Sequence, residues 1–147
     1  MEYATTAWNP QTTGKIKALE SVQKKAARFV TRTYNREASV TALKKDLGWE
    51  DLALRRQTRD CVMWYKIHFG LVHIMFPPGI HPKQRLHRHD NNLAYFQPSP
   101  RVNAYKFCFF IRTIPIWNAL PNSIVTAQTV STFQRLAQAH LANAVTP

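Results

Sequence analysis

The placement of proline constrains the fold of this chain more than any other feature. Five prolines lie between residues 75 and 100: Pro77, Pro78, Pro82, Pro98 and Pro100. Proline has no backbone N–H and interrupts both helices and central strands. Regular elements are therefore predicted before and after a Pro- and His-rich irregular connection at residues 75–104. A connection of this length is unusual in compact domains, so we expect it to lie on a partner surface or to be mobile.

Residues 1–74 are predicted to form a basic helical module. At 100° per residue, a helix that begins near Gly14, with Thr13 as its cap, separates apolar from basic side chains. The apolar arc consists of Leu19, Val22, Ala26, Phe29 and Val30. The opposite arc consists of Lys17, Lys24, Lys25, Arg28 and Arg32. This pattern predicts an amphipathic helix with the apolar arc in the core and the cations outside.

Two more helices are expected in this module. Ser39 can cap the start of a short helix, and Gly48 can end it. Glu50 and Asp51 complement the dipole at the start of a longer third helix. The inner face of that third helix is predicted to carry Leu54, Cys61, Val62, Tyr65 and Phe69. Its outer face is predicted to carry Arg55, Arg59 and Lys66.

The segment at residues 105–147 is predicted to pack on this first module. Tyr105–Ile111 is apolar almost all round, so we expect it to be buried, as either helix or strand, because periodicity does not decide between the two. Thr113 is expected to cap a short helix in which Pro115 occupies the first turn.

A last helix is expected with Thr129 or Ser131 as its cap and Phe133 on its inner stripe. The fold class is therefore mainly α: a small helical domain with amphipathic basic helices, a Pro-rich irregular connection and a short C-terminal helix.

The charge balance points to a polyanionic partner. Lys and Arg number 20 against 8 Asp and Glu, which gives a formal net charge of +12, and the excess persists in both halves of the chain. A basic run is usually only a solvated face, but an ordinary mixed surface would include compensating acids. We therefore predict contacts to the RNA or DNA backbone. The predicted contact residues are Lys17, Lys24, Lys25, Arg28, Arg32, Arg55, Arg59 and Lys66.

Catalysis with two metal ions would require clustered carboxylates, and the sequence offers none. Glu50 and Asp51 are adjacent, but neighbouring helix residues point about 100° apart. Asp90 is the only acid after Asp60. We therefore expect no catalytic residue in this chain and no cofactor.

The histidine-rich loop is the weak candidate for a metal site. His81, His87 and His89 lie close together in the sequence with Asp90, and imidazole and carboxylate groups suit zinc. Interleaved cations at Lys83, Arg85 and Arg88 would repel a dication. A solvated basic loop touching phosphate is the simpler interpretation.

Cellular location follows from two absences in the sequence. No window approaches the roughly 18 to 20 uninterrupted apolar residues of a membrane span, and the first residues lack the pattern of a secretory signal. The two cysteines, Cys61 and Cys108, are expected to be reduced and buried. We therefore expect a nuclear or cytoplasmic protein with no membrane partner.

Several motifs, in order along nearly the whole chain, carry a family resemblance. They include Leu19–Val30 (LESVQKKAARFV), Leu47–Glu50 (LGWE), Tyr65–Val72 (YKIHFGLV) and Trp117–Pro121 (WNALP). Together they resemble the region downstream of the polymerase core in reverse transcriptases of jockey-like non-long-terminal-repeat retrotransposons. Ile111 and Pro115 depart from the family pattern, so we expect the start of the Trp117 helix to be shifted or weakened.

The family that the chain resembles consists of RNA-directed DNA polymerases. In that family the catalytic Asp motif and the endonuclease domain lie upstream of such a segment. The resemblance therefore implies a noncatalytic carboxy-terminal fragment that binds template RNA or target DNA and whose partner is the remainder of the reverse transcriptase. The alternative is a structural or protein-interaction segment that packs on the polymerase thumb. An independent enzyme is the third possibility.

Overall fold

The computed structural model describes residues 4–35 and 37–145, and within these ranges the protein is mainly helical, as predicted. The helices are α1 (Thr5–Trp8), α2 (Thr13–Val30), α3 (Val40–Asp46), α4 (Leu52–His68), α5 (Asn103–Lys106), α6 (Phe109–Ala119), α7 (Asn122–Val125) and α8 (Val130–Val145). The β pairing within the described ranges is one isolated antiparallel bridge, between Pro82 and Tyr95.

The chain divides into two compact units. One unit is Asn9–Arg55; the other, called the core unit here, joins Met1–Trp8 to Arg56–Pro147. The boundaries therefore differ from the predicted ones at residues 74/75 and 104/105. The difference arises because most of α4 supplies core side chains together with the later helices, and so it belongs with the C-terminal half.

Local capping signals fix α3 in the Asn9–Arg55 unit, whereas α2 begins at Thr13 with no side-chain cap hydrogen bond, so the expected cap by Thr13 is wrong. The Ser39 hydroxyl accepts the Ala42 N–H at 3.4 Å at the start of α3, as predicted. Gly48 ends that helix at a φ of +63°, a conformation that L side chains rarely adopt. Within this unit, Gln23 on α2 donates to the Glu50 carbonyl at 2.8 Å.

The predicted inner arc of α2 is wrong. Its buried residues are Gln23 and Ala27, whereas Val22 is 44% exposed and Phe29 is 73% exposed. On a helical wheel the buried face is rotated by about 100° from the predicted arc. The physical reason is that Gln23 satisfies a backbone carbonyl of the loop before α4 and the small Ala27 permits close packing, so these two residues orient the helix.

The core unit is organised around aromatic side chains from α4, α6 and α8. Trp64, Trp117 and Phe133 are fully buried, and Tyr65 stacks on Phe133 with ring centroids 4.6 Å apart. Trp64 meets Tyr95 edge-on at 5.0 Å. The predicted core positions Tyr65, Trp117 and Phe133 are thereby confirmed.

The connection between α4 and α5 is irregular, as predicted, but it forms part of the core unit. Asn91 is 2% exposed and its amide donates to the carbonyls of Trp117 at 2.7 Å and Leu120 at 3.1 Å. The Asn118 side chain pairs with both the N–H and the carbonyl of Tyr95, at 2.9 and 2.8 Å. These bonds attach residues 91–95 to the end of α6.

Two expectations for residues 105–113 are wrong. Tyr105 and Phe107 are each 38% exposed, so this segment is not buried throughout. It forms α5 and the start of α6, which resolves the choice between helix and strand in favour of helix. Thr113 lies inside α6, where its hydroxyl donates to the Phe109 carbonyl at 2.6 Å, and it does not cap the helix. Pro115 is consequently in the interior of α6 and not in its first turn.

Candidate nucleic-acid interface

The cations of α2 form a stripe along the exposed side of the helix. Lys17, Lys24 and Arg28 lie within about 40° of one another on the helical wheel. They rise by about 10 Å from the first to the second and by about 6 Å from the second to the third. Lys25 lies beside the stripe, and all three lysines are exposed, while Arg28 is half-buried. The acid of this helix, Glu20, is also half-buried.

Arg32 extends this surface from the turn that follows α2. Its φ is +51°, and the N–H of Thr33 bonds to the carbonyl of Arg28 at 3.0 Å. This is the geometry of a helix end that closes on a left-handed residue, which is usually glycine. The side chain of Arg32 is exposed.

The remaining three predicted contact residues lie on α4. Arg55 is half-buried and is the last residue of the Asn9–Arg55 unit. Arg59 and Lys66 lie in the core unit, seven residues apart and therefore on the same side of the helix. They line one open cleft of about 660 Å³ together with Thr58, Val62 and Gln134.

Three carboxylates are engaged in ion pairs with cations outside the predicted contact set. Asp51 pairs with Lys44 in the Asn9–Arg55 unit. In the core unit, Asp90 accepts from Lys83 at 2.6 Å. The third pair joins Asp60 to Arg112 at 3.0 Å.

The pair between Arg112 and Asp60 is buried and extensively hydrogen-bonded. The side chains are 9% and 1% exposed, and the guanidinium binds both carboxylate oxygens, at 3.0 and 3.1 Å. Arg112 also donates to the carbonyls of Phe107 at 3.0 Å and Thr6 at 2.7 Å. This network fixes α1, α4 and α6 together within the core unit. Sequence reasoning missed it because the two charges are 52 residues apart.

The histidine loop does not form a metal-binding arrangement in the structure. In the described ranges no group of three or more His, Cys, Asp or Glu side chains is placed to hold a metal ion. The His81 ring stacks on Phe96, and Asp90 is occupied by Lys83 and by the N–H of His87. His87 and His89 are exposed.

The two cysteines are free, and they differ in exposure. Cys61 is fully buried, and this burial, with a further contribution from the neighbouring Asp60 charge, raises the pKa of its thiol. The thiol therefore stays protonated at neutral pH. Cys108, which was also expected to be buried, is half-exposed at the start of α6.

No protein-family model matches the sequence, and neither a curated protein nor a solved structure is significantly similar to it. None of the helices in the described ranges combines the length and the hydropathy that a bilayer crossing requires.

Proposed function

We propose that this chain is a noncatalytic nucleic-acid-binding module, related to the closing region of a retrotransposon reverse transcriptase, that contacts template RNA or target DNA phosphates. The observation that carries the proposal is the exposed side of α2. Lys17, Lys24 and Lys25 are exposed there, and the acid of the same helix is half-buried. A row of cations along one helix side matches the regularly charged backbone of a nucleic acid.

Three carboxylates of the protein form ion pairs in the described ranges. The pairs formed by Asp51, Asp60 and Asp90 use Lys44, Arg112 and Lys83, and none of these three cations belongs to the predicted contact set. Three of the eight acidic residues are therefore held in ion pairs with neighbouring cations. We expect purified protein with magnesium neither to extend a primer nor to cut DNA.

The proposal is tested by measuring affinity against salt concentration. Five to eight neutralised phosphates give a slope of log K against log salt of about −4 to −7 on duplex DNA. The triple variant Lys24→Ala, Lys25→Ala and Arg28→Ala should make the slope shallower by about three units on duplex and weaken binding to every sequence alike. Its melting temperature should stay close to the wild-type value, because the cations do not lie on the buried side of α2.

The control is a variant with the same loss of charge elsewhere. Lys45 on α3, Arg101 in the connection before α5 and Arg135 on α8 are exposed, so replacing all three by Ala lowers the net charge equally. This control should keep more of the wild-type slope than the α2 triple variant. Equal effects of the two variants would mean that net charge alone, and not the α2 stripe, drives binding. A flat slope for the wild type would contradict nucleic-acid binding altogether.

A second candidate function is supported by the apolar side chains that α2 exposes. Val22, Phe29 and Val30 are 44%, 73% and 55% exposed, which is unusual for neighbouring large apolar groups on one helix. This face favours the alternative of a protein-interaction segment, with the remainder of a reverse transcriptase as its partner. A flat salt slope combined with loss of a protein partner on Phe29→Ala would favour this function over the first.

A further inference from the structure

The irregular connection contains a short β ribbon. Its side chains point alternately toward the core and toward the surface. The N–H of Phe96 bonds to the carbonyl of His81 at 2.9 Å, and the N–H of Lys83 bonds to the carbonyl of Ala94 at 2.9 Å. Pro82 and Tyr95 form the pair between these bonds, where Pro82 needs no N–H donor. Because side chains alternate along a strand, Tyr95 enters the core while His81 and Phe96 lie together on the other face.

His81 and Phe96 form a stacked aromatic pair on the surface of the core unit, called the ledge here. Their rings are parallel within 3°, with centroids 5.2 Å apart. His81 is exposed, and Phe96 is 48% exposed. A cross-strand pair of this kind stabilises the ribbon by only about 0.2 to 1 kcal/mol. This small contribution to stability does not by itself require that two aromatic rings be exposed.

Basic side chains surround the ledge. A groove of about 520 Å³ is lined by His81, Lys83, Gln84, Arg85, His87 and Phe96. This volume is in the range of sites that accept small organic groups. The groove combines aromatic rings, which can stack on a nucleobase, with cations, which attract phosphate.

Asp90 holds this groove in shape. One carboxylate oxygen accepts from Lys83 Nζ at 2.6 Å, and the other accepts the N–H of His87 at 2.7 Å. The hydrogen bond from Lys83, followed by the one from the His87 backbone, keeps the pKa of Asp90 below its usual range. Asp90 therefore neutralises Lys83 and bonds within the loop through both oxygens, while Arg85 also lines the groove.

We propose that this groove is a stacking subsite for one unpaired nucleobase of a single-stranded nucleic acid, with the adjacent phosphate held by Arg85. This inference rests on the proposed function, since it assigns a second contact to the same ligand. Single-strand binding proteins combine stacked aromatic side chains with a basic groove in this way. A base inside a duplex is already stacked on both sides, so the ledge selects unpaired segments.

The experiment compares Phe96→Ala with wild type on three probes: a fluorescent oligothymidylate of about a dozen nucleotides, its abasic counterpart and a duplex of similar length. Phe96→Ala should weaken binding to the oligothymidylate by about 5- to 100-fold and leave binding to the other two probes unchanged. The salt slope should not change, because stacking releases no counterions. Wild type should bind the abasic strand about as weakly as the variant binds the oligothymidylate.

Three control variants show whether weaker binding by Phe96→Ala arises from lost base stacking or from a disturbed loop structure. Phe96→Trp should retain binding, because it keeps an aromatic face. Leu86→Ala changes a 46% exposed residue of the same loop that does not line the groove, and Tyr105→Ala removes an exposed ring elsewhere on the core unit. Both should bind like wild type.

The outcomes distinguish this inference from the proposed function. If wild type binds duplex and oligothymidylate with steep salt slopes while Phe96→Ala has no effect, the stacking subsite is excluded and the proposed function stands. Equal weakening on the base-bearing and abasic strands would also exclude stacking. If wild type binds none of the probes, both proposals fail.

Discussion

The backbone conformation of Arg32 lowers the stability of the protein, whereas its charge favours the proposed binding of phosphate. Helices α3 and α4 end on left-handed glycines, Gly48 at φ +63° and Gly70 at φ +67°, whereas α2 ends on Arg32 at φ +51°. A side chain in this conformation costs about 1 kcal/mol relative to glycine. The chain therefore keeps a cation where glycine would be more stable, which is consistent with a binding role for that cation.

Replacing Arg32 by Gly should consequently stabilise the protein and weaken its binding. We expect the free energy of unfolding in urea to rise by about 0.5 to 1 kcal/mol, since the strain is relieved but the unfolded chain gains freedom. The salt slope should become shallower by about one unit. Lys25→Gly is the matched control: it removes the same charge from a helical position, so it should destabilise the protein by about 1 kcal/mol. If Arg32→Gly lowers stability as Lys25→Gly does, the end of α2 is not strained.

His68 couples the stability of the core unit to pH. Burial lowers the pKa of His68, and its Nδ1 lies 2.7 Å from the Tyr95 hydroxyl. Burial also raises the pKa of Tyr95 to about 12, so the phenol stays protonated and can donate to the neutral ring. Since the folded pKa lies below the unfolded value of about 6.5, this contribution is fully present above pH 6.5 and is lost as pH falls through the folded pKa.

We therefore expect the melting temperature to fall on acidification from about pH 7 to pH 5, and to fall less in His68→Gln, which does not titrate. Calorimetry across this range measures the difference. His73 is exposed, and His73→Gln serves as the control substitution. The same pH dependence in wild type and His68→Gln would mean that His68 is not the coupled group.

At the scale of elements, α2 behaves as a surface helix whose large apolar side chains do not hold the fold. Phe29→Ala should change the free energy of unfolding by less than about 0.5 kcal/mol, because the ring is 73% exposed. Phe133→Ala removes a fully buried ring from α8 and should cost about 3 to 5 kcal/mol. Urea denaturation of the two variants gives the comparison. A large loss for Phe29→Ala would contradict the observed orientation of α2.

Local signals in the sequence were sufficient to predict several helix ends. Ser39 starts α3 with a side-chain hydrogen bond, Gly48 ends it, and the Thr129 hydroxyl accepts the Thr132 N–H at the start of α8. Capping depends on residues only three or four positions apart, so a single sequence contains the necessary information. Two expected caps were wrong: the Thr113 hydroxyl bonds back to the Phe109 carbonyl inside α6, and Thr13 lies inside α2, which has no side-chain cap hydrogen bond.

Long-range contacts account for what the sequence did not predict. The side of α2 that is buried depends on the bond from Gln23 to Glu50, 27 residues away. The attachment of the connection to α6 depends on Asn91 and Asn118, whose partners are 23 to 29 residues distant. The ledge of His81 and Phe96 depends on a ribbon register that no periodicity indicates. Amide side chains that bond to distant backbone groups leave no pattern in a sequence.

At the scale of the whole molecule, the formal net charge of +12 opposes compaction of the free protein. Raising salt from about 0.01 to 0.1 M shortens the screening length from about 30 to 10 Å, so the melting temperature of the free protein should rise. The same salt increase should weaken the proposed phosphate binding by competition from counterions. Stability and affinity should therefore respond to salt in opposite directions.

This opposition gives a test by thermal unfolding with and without an oligonucleotide. At low salt, a free oligonucleotide concentration about 100 times the Kd should stabilise the folded protein by about 2.7 kcal/mol, because a ligand that binds only the folded state shifts the equilibrium by mass action. A neutral polymer at the same mass concentration should leave the melting temperature nearly unchanged, because excluded volume contributes only about 0.2 to 1 kcal/mol even under crowded conditions. As salt rises, the melting curves with and without oligonucleotide should converge, the first falling while the second climbs. A melting temperature at low salt that the oligonucleotide leaves unchanged would show that the folded protein does not bind it, and the basic surface would then be a solvated face with no nucleic-acid ligand.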